Sequence, residues 1–502
     1  MGDPSTPPSG PAAGHTRFLH GVASGDPSAT SVTLWTRLTV PGSAGAHDHQ
    51  LTWTLAADAD LRRVVATGVA VAPRDDDHTT HVVVTGLTPG TELWYGFTAA
   101  DGTRSPVGRT CTLPSADQHV TSLRIGVVCC ARYGSGWFGA YRTVVDARPD
   151  LVVHLGDHLY EDGGRCVPGR EHDPPHELIT LDDYRRRHAQ TCTDGDAQAL
   201  RAAAPMVVLW DDHEFADNAW LTGAAAHDRD DGPWHERVTA ARQAWHEWMP
   251  FVHRPVGDTG LLIGHGELDR RLRVGDLVDL VVVDTRMSGR DAPAHRSGAP
   301  VLVPTDDRTL LSDAQRSWLR EVMIDRRSRW RVFANQVHVG QLHLLSAPGL
   351  ARRAGPLRPL VNPDQWDGYP RERELLLQLL REAGTGGVLG LSGDLHATFV
   401  RTVDDEAGPV FPEITTPSTM STPFGTIAAT RSKGLLRPAL VERLLRRQNR
   451  GIDFVDTRRH GCTVLDVGRD SIEVSIHLGV DTDRPEVLRW RITHDSPVPR
   501  RI

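Results

Sequence analysis

One pattern recurs six times along this chain and constrains its fold more than anything else. A short, almost wholly apolar run stops abruptly in Cys, Asp, Asn or His. Residues 150–160 show it best: Leu151, Val152, Val153 and Leu155 read as a buried strand, Gly156 breaks it, and Asp157 and Tyr160 follow. Residues 124–131 end at Cys130, and 205–210 end in Asp211-Asp212-His213-Glu214. Residues 277–283 end in Asp284-Thr285-Arg286, and 330–334 in Asn335-Gln336-Val337-His338. Residues 387–391 end in Ser392-Gly393-Asp394-Leu395-His396. Helical patterns such as 313–325 and 371–383 lie between the runs. Together they predict an α/β layered domain with its site along one edge of the sheets.

Upstream the grammar is different. Residues 31–38, 51–55, 81–85 and 93–97 are short strands divided by Pro and Gly turns, as in an antiparallel sandwich. Leu87-Thr-Pro-Gly-Thr-Glu-Leu-Trp-Tyr95 resembles a fibronectin type III domain, which carries no chemistry by itself. The expected division is a disordered Pro/Gly/Ser tail over 1–14, a β-sandwich over 15–114, a linker, and the catalytic domain over 120–502. Residues 163–203 and 414–460 read as excursions over the site, and 462–467, 472–477 and 487–492 as closing strands.

The composition excludes several classes. A net charge of -8 argues against a general nucleic-acid partner. Lys433 is the single lysine, which rules out a P-loop and leaves no other residue for Schiff-base catalysis. The six cysteines form no CxxC pair, so a zinc ribbon or thioredoxin-like site is not expected; a Cys166–Cys192 disulfide is left open. No apolar run reaches the roughly 18 residues of a membrane span, and the first residues lack the apolar core of a signal peptide. The expectation is a protein that stays inside the cell or has lost a leader.

The tip residues suggest metal chemistry. A Tyr160 phenol must lose a proton of pKa ~10 to ligate, which a strongly Lewis-acidic ion such as Fe(III) makes easy. Cys130 would add a thiolate, and Asp394 and His396, two apart in extended chain, share a side. Amide and carboxylate oxygens prefer hard cations such as Ca(II). Two unlike sites sharing Asp157 result: Cys130, Asp157, Tyr160 and His396 in one, and Asp157, Asp212, Asn218 and Asp394 in the other. Such a pair clamps a phosphate ester and activates a hydroxide, with His213 placed to protonate the leaving oxygen. Tyr160 as a packed aromatic and His213 as an orienting residue are the plainer readings.

Gly156-Asp157-His-Leu-Tyr160, Asp211-Asp212-His213-Glu214, Asn335-Gln-Val-His338 and Gly393-Asp394-Leu-His396 resemble the successive motifs of calcineurin-like metallophosphoesterases. Cys130 in place of a first Asp, and Asp394 in place of a first His, are similar to the PhoD-type alkaline phosphatases. So are Gly21-Val-Ala-Ser-Gly-Asp-Pro27, Asn449-Arg-Gly-Ile-Asp-Phe-Val-Asp456 and the Asp284-Thr-Arg286 triplet. The resemblance implies a four-layer αββα metallophosphoesterase sandwich behind the small β-sandwich. It implies one Fe(III) with Ca(II), usually two, and export by the twin-arginine route. It implies hydrolysis of phosphate mono- and diesters, with Asp157 and His213 at the reaction centre. Arg132, Arg286 and His338 are candidate substrate contacts, His338 alternatively a ligand of the second metal site; pairing with Asp284 and simple packing are the plainer readings for the last two. A phosphodiesterase of the phospholipase D type and an inactive surface-binding protein are the competing readings.

Overall fold

The computed structural model describes residues 17–40, 47–251, 262–263, 266–293, 307–343 and 362–502. The expected tail over 1–14 lies outside them.

The N-terminal strands are β1 (Val22–Gly25), β2 (Ser31–Arg37), β3 (His49–Ala56), β4 (Val64–Ala72), β5 (Thr79–Thr85), β6 (Glu92–Ala99) and β7 (Gly108–Cys111). They form the expected sandwich: one antiparallel sheet in the order β4-β3-β6-β7, and β1-β2-β5 as the second layer. Leu34, Leu51, Leu55, Tyr95 and Phe97 fill the space between them. The second layer does not end there. β1 pairs parallel with β10 (Met206–Val208) at Gly25↔Met206, so the sandwich shares a sheet with the rest of the chain.

That sheet has 10 strands in the order β22-β21-β20-β19-β8-β9-β10-β1-β2-β5. Its further members are β8 (Ser122–Val128), β9 (Leu151–His154), β19 (Gly461–Gly468), β20 (Ser471–Leu478), β21 (Glu486–Thr493) and β22 (Arg500–Arg501). The second large sheet comprises β11 (Leu262–Ile263), β12 (Arg270–Val274), β13 (Val278–Val282), β14 (Trp330–Ala334), β15 (Val388–Ser392), β16 (Thr398–Asp405), β17 (Gly408–Thr415) and β18 (Ile452–Asp456). Its order is β11-β12-β13-β14-β15-β17-β16-β18.

All six apolar runs are strands. β8, β9 and β10 are mutually parallel, and so are β13, β14 and β15. Parallel strands put their C-terminal ends at one edge, which is why six polar tips in sequence become one cluster in space. Alternation divides the β13 side chains between two cores. Val278, Leu280 and Val282 pack with Ile125, Val127 and Val153 of the first sheet, whereas Val281 faces the other way. There it meets Trp318, Leu319, Leu376 and Leu380 of helices Asp313–Ile324 and Pro370–Glu382. Both faces are buried, so these strands read as continuous apolar runs.

Helices Gly139–Asp146, Leu181–Cys192, Gly195–Ala203 and Trp234–Trp248 cover the first sheet, completing four layers. Gly126 lets the first of these approach closely: a Cβ there would lie 2.3 Å from Val144 Cγ1. The 163–203 excursion is anchored by a capping box of Thr180 and Asp183 at the start of Leu181–Cys192. From that helix the buried Arg187 donates to the carbonyls of Tyr160, Asp162 and Pro174, fixing the loop beyond β9. Cys166 and Cys192 are free thiols, so the pairing left open by the sequence is not made. No helix among the described residues is long and apolar enough to cross a membrane.

Candidate metal centre

The tip loops depart from ordinary backbone. Eleven described non-glycine residues have positive φ, and five of them are the proposed ligands Cys130 (56°), Asp157 (56°), Asn218 (54°), Asp394 (62°) and His396 (49°). L-residues adopt this region at a cost, so its concentration here marks a place where side-chain direction takes precedence over local comfort. Gly156 permits one of these turns. Its φ is 111°, and a Cβ would lie 2.5 Å from Asp211 Cβ.

Glu214 holds the turns together. Its buried carboxylate accepts from the backbone N–H groups of Asp157 (3.0 Å), His158 (2.5 Å) and Asp211 (2.6 Å), locking the β9 loop to the β10 loop. The β8 tip is fixed in the same way, since Cys130 N–H donates to the Gly156 carbonyl at 3.1 Å and Ala131 N–H to the Asp157 carbonyl at 2.9 Å.

Three groups of potential ligands result, each with its donor atoms within 4.8 Å of one another: Cys130, Asp157 and His396; Asp157, Asp212 and His213; Asp211, Asp212 and Asp394. Asp157 joins the first two, and Asp212 the second and third. The Tyr160 hydroxyl lies in the first, donating to Asp157 Oδ2 at 2.9 Å with His396 Nε2 at 2.8 Å; it also accepts from Ser421 at 2.8 Å. Asn218 lies beside the third through its backbone, whose N–H donates to Asp212 Oδ2 at 2.5 Å. Cys129 Sγ points elsewhere, toward the carbonyls of Thr416 and Pro417 at 3.9 and 3.8 Å.

The donor set fits cations. Asp157 Oδ1, Asp211 Oδ2 and Asp212 Oδ1 are buried without a hydrogen-bond donor, an arrangement whose desolvation cost a bound cation would offset. With protein charges alone, burial and the Cys130 sulfur push the Asp157 carboxyl well above its usual range. Burial and Cys129 raise the Cys130 thiol, and burial with Asp157 raises the Tyr160 phenol. Burial lifts Asp394 to about 7 even with Arg286 opposing it. Asp212 is the exception: burial would raise it, but Arg286 and His213 hold it at about 2.

His213 is carried on a firm support. Its Nδ1 faces Glu161 Oε2 at 2.6 Å, and Glu161 also accepts from Asp217 N–H at 2.7 Å. Burial disfavours the imidazolium, but Glu161, Asp212 and Asp157 outweigh it and raise His213 well above 6.5.

Two expected substrate contacts are corrected. The Arg286 guanidinium is 0% exposed and donates to Asp211, to Asp364 at 2.6 Å and to Asp394 at 2.9 Å, which leaves no fork for a phosphate. Nor does it pair with Asp284, whose carboxylate accepts the backbone N–H groups of Arg286 and Met287 at 2.8 and 2.9 Å. The His338 ring is also 0% exposed, set between Thr415 Oγ1 at 2.7 Å and Arg401 at 3.2 Å, so both ring nitrogens have protein partners. Arg132 remains near the rim, holding Asp162 at 2.5 Å and the Arg165 carbonyl at 3.0 Å.

The PhoD-like phosphatase profile matches residues 125–476, and the PhoD-like phosphatase N-terminal domain profile matches 5–114. The chain belongs to the PhoD-like phosphatase family. It is 33% identical over 396 residues to alkaline phosphatase D of Bacillus subtilis (strain 168), a match covering 76% of this chain and 65% of that protein's length. A solved structure of PhoD superposes with a TM-score of 0.81 at 27% identity, covering 98% of this chain and 93% of that one.

Within this PhoD-like chain, several supporting residues escaped the motif reading. Gln365 donates to Asp394 Oδ2 and accepts the His338 backbone N–H at 2.7 Å; Asp364 binds Arg286 and Arg290. Both sit in Asn362-Pro-Asp-Gln-Trp-Asp-Gly-Tyr369, a polar–aromatic run before a helix, and that was their only signal. Glu161 directly follows Tyr160, and Ser421 lies in a Ser/Thr-rich loop; nothing local distinguishes either one.

Proposed function

We propose that this chain is a metal-dependent phosphoesterase that hydrolyses phosphate mono- and diesters. The observation that carries this reading is Asp157, a buried carboxylate shared by two groups of ligand atoms and left with one oxygen unpartnered. Cys130, Asp157, Tyr160 and His396 would hold Fe(III), the ion to which a thiolate and a phenolate are best suited. Asp157, Asp212, Asn218 and Asp394 would hold Ca(II), with a second Ca(II) beside it. Bound there, the cations would supply Lewis acidity toward the phosphoryl oxygens and lower the pKa of an attacking water.

The chain's own residues supply the rest. His213, only 15% exposed and raised by its carboxylate neighbours, keeps a proton that it can hand to the leaving alkoxide. Glu161 engages Nδ1, so the transfer would be made from Nε2, which has the Asp217 carboxylate 3.8 Å away. Tyr160 packs against His213 with ring centroids 4.1 Å apart, which limits the swing of the imidazole. Arg132, two residues beyond Cys130, would meet a substrate oxygen by exchanging one of its bonds to Asp162 and the Arg165 carbonyl. We place the non-catalytic unit at 15–114 and the catalytic one at 120–502.

The test is Asp157→Asn. Turnover of chromogenic mono- and bis-esters should fall on the order of 10³-fold, together with iron and calcium content measured by mass spectrometry. An Asp157→Asn protein with parental turnover removes the site. A colourless, iron-free but active enzyme removes the ferric assignment while leaving the hydrolytic one standing; a visible phenolate-to-iron absorption band that persists in Tyr160→Phe removes Tyr160 as the ligand.

A further inference from the structure

Beside the metal centre stands a helical hairpin made of Phe424–Arg431 and Pro438–Gln448. Its inner side is tied to the His396 loop. Val441 and Leu445 are fully buried against Leu395, Ala397 and Phe399. Phe424 N–H donates to the His396 carbonyl at 3.0 Å, and the Thr422 carbonyl faces His396 Nδ1 at 3.0 Å.

The outer side is strongly basic. Between residues 431 and 447, Arg431, Lys433, Arg437, Arg443, Arg446 and Arg447 are all exposed, in a chain whose net charge is -8. The single acid of this stretch, Glu442, is already engaged by Arg458 at 2.9 Å and by the Thr457 N–H at 3.0 Å. Among the described residues, none of the six cations has a side-chain hydrogen bond or ion pair. At the turn between the helices Leu435 is 80% exposed, beside Lys433, and Leu440 is 40% exposed at the start of the second helix.

Ordinary protein surfaces intersperse charges of both signs, because a single-sign field repels itself. Here the repulsion is left uncompensated around an apolar tip. A soluble polyanion would answer the charge alone. An anionic bilayer answers the charge and also takes the leucines out of water. We propose that this hairpin docks the protein onto the surface of an anionic phospholipid bilayer, with the Lys433–Leu435 turn entering the headgroup layer. The proposal does not depend on the hydrolytic reading, since binding is measured without turnover.

The experiment is sedimentation of the full chain with vesicles of phosphatidylglycerol and phosphatidylcholine, or of phosphatidylcholine alone. Binding is expected to the anionic vesicles only, and to weaken steeply with salt. The triple variant Arg443→Gln, Arg446→Gln, Arg447→Gln should partition on the order of a hundredfold less, at about 1 kcal/mol per cation. Leu435→Ser should lose roughly tenfold. Thermal melting identical to the parent's shows that each variant is folded. Equal partitioning of the parent and the triple variant overturns the proposal. So does binding to soluble polyphosphate as tight as to vesicles, combined with indifference to Leu435→Ser.

Discussion

The two flanks of the centre manage buried charge differently. On one, the Tyr160 hydroxyl is hydrogen-bonded to Asp157, His396 and Ser421, and Ser421 to the Cys130 carbonyl, with no built-in cation among them. On the other, Asp211, Asp364 and Asp394 surround Arg286, a built-in cation with 0% exposure. The carboxylate flank therefore carries part of its compensation in the fold, whereas the thiol and phenol flank depends on an incoming ion for the whole of it. The soft-ligand side should be the more plastic when metal is stripped, and the carboxylate side the more fragile when its arginine is lost.

Arg286→Met tests the larger half of this contrast. It leaves Asp211 and Asp394 buried without their counter-charge, while Asp364 keeps Arg290, and stability should fall by about 3–5 kcal/mol, read from denaturant unfolding of the metal-free protein. Arg286→Lys keeps the charge but not the planar fork and should fall between parent and Met. Parental stability in the Met variant would mean that the carboxylates do not rely on it.

Ser421→Ala tests the other flank. The hydroxyl shares its one proton between Tyr160 at 2.8 Å and the Cys130 carbonyl at 3.0 Å, both neutral contacts; a loss of about 1 kcal/mol is expected in the same assay. A loss as large as that of Arg286→Met would erase the distinction between the flanks.

The smallest effect is in the pH dependence behind Ser421. His460 faces the Ser421 carbonyl at 2.8 Å and Asp481 at 2.8 Å. Burial disfavours its charged form, but the bond to Asp481 raises its pKa above 6.5; burial likewise opposes Asp481, which His460 holds below 3.8. A raised histidine stabilises fully below its unfolded value and loses that contribution as pH climbs through the folded one. The lowered carboxylate stabilises above its unfolded value and loses that contribution as pH falls. The pair therefore contributes most between about pH 4 and 6.5, and His460→Gln should flatten the stability profile on both sides of that window. An unchanged profile would dissociate this pair from the stability of the thiol flank.

Much of the centre was legible because its residues announce themselves locally. An apolar run ending in Gly-Asp or Asp-Asp-His-Glu is readable wherever it falls, and Cys130, Asp157, Asp212, Asp394 and His396 were all found that way. The partners of Arg286 were not, because Asp211, Asp364 and Asp394 lie 75, 78 and 108 residues from it along the chain. The Asp284-Thr-Arg286 triplet suggested a neighbouring pair, which the backbone hydrogen bonds to Asp284 pre-empt. His338 matched a ligand motif by position, yet the packing of β17 put Thr415 against its ring. The join between the N-terminal sandwich and the ten-stranded sheet was invisible for the same reason, since edge strands carry no address for the edge they meet.

By itself the sequence determined which residues end the strands, and therefore which atoms are available as ligands, because hydrophobic period and turn residues act within a few positions. Only the tertiary structure decided which charges neutralise one another. Pairing energies depend on distance and burial between segments far apart in the chain, and a guanidinium looks the same in the sequence whether it ends at the surface, like Arg443, or locked among carboxylates, like Arg286.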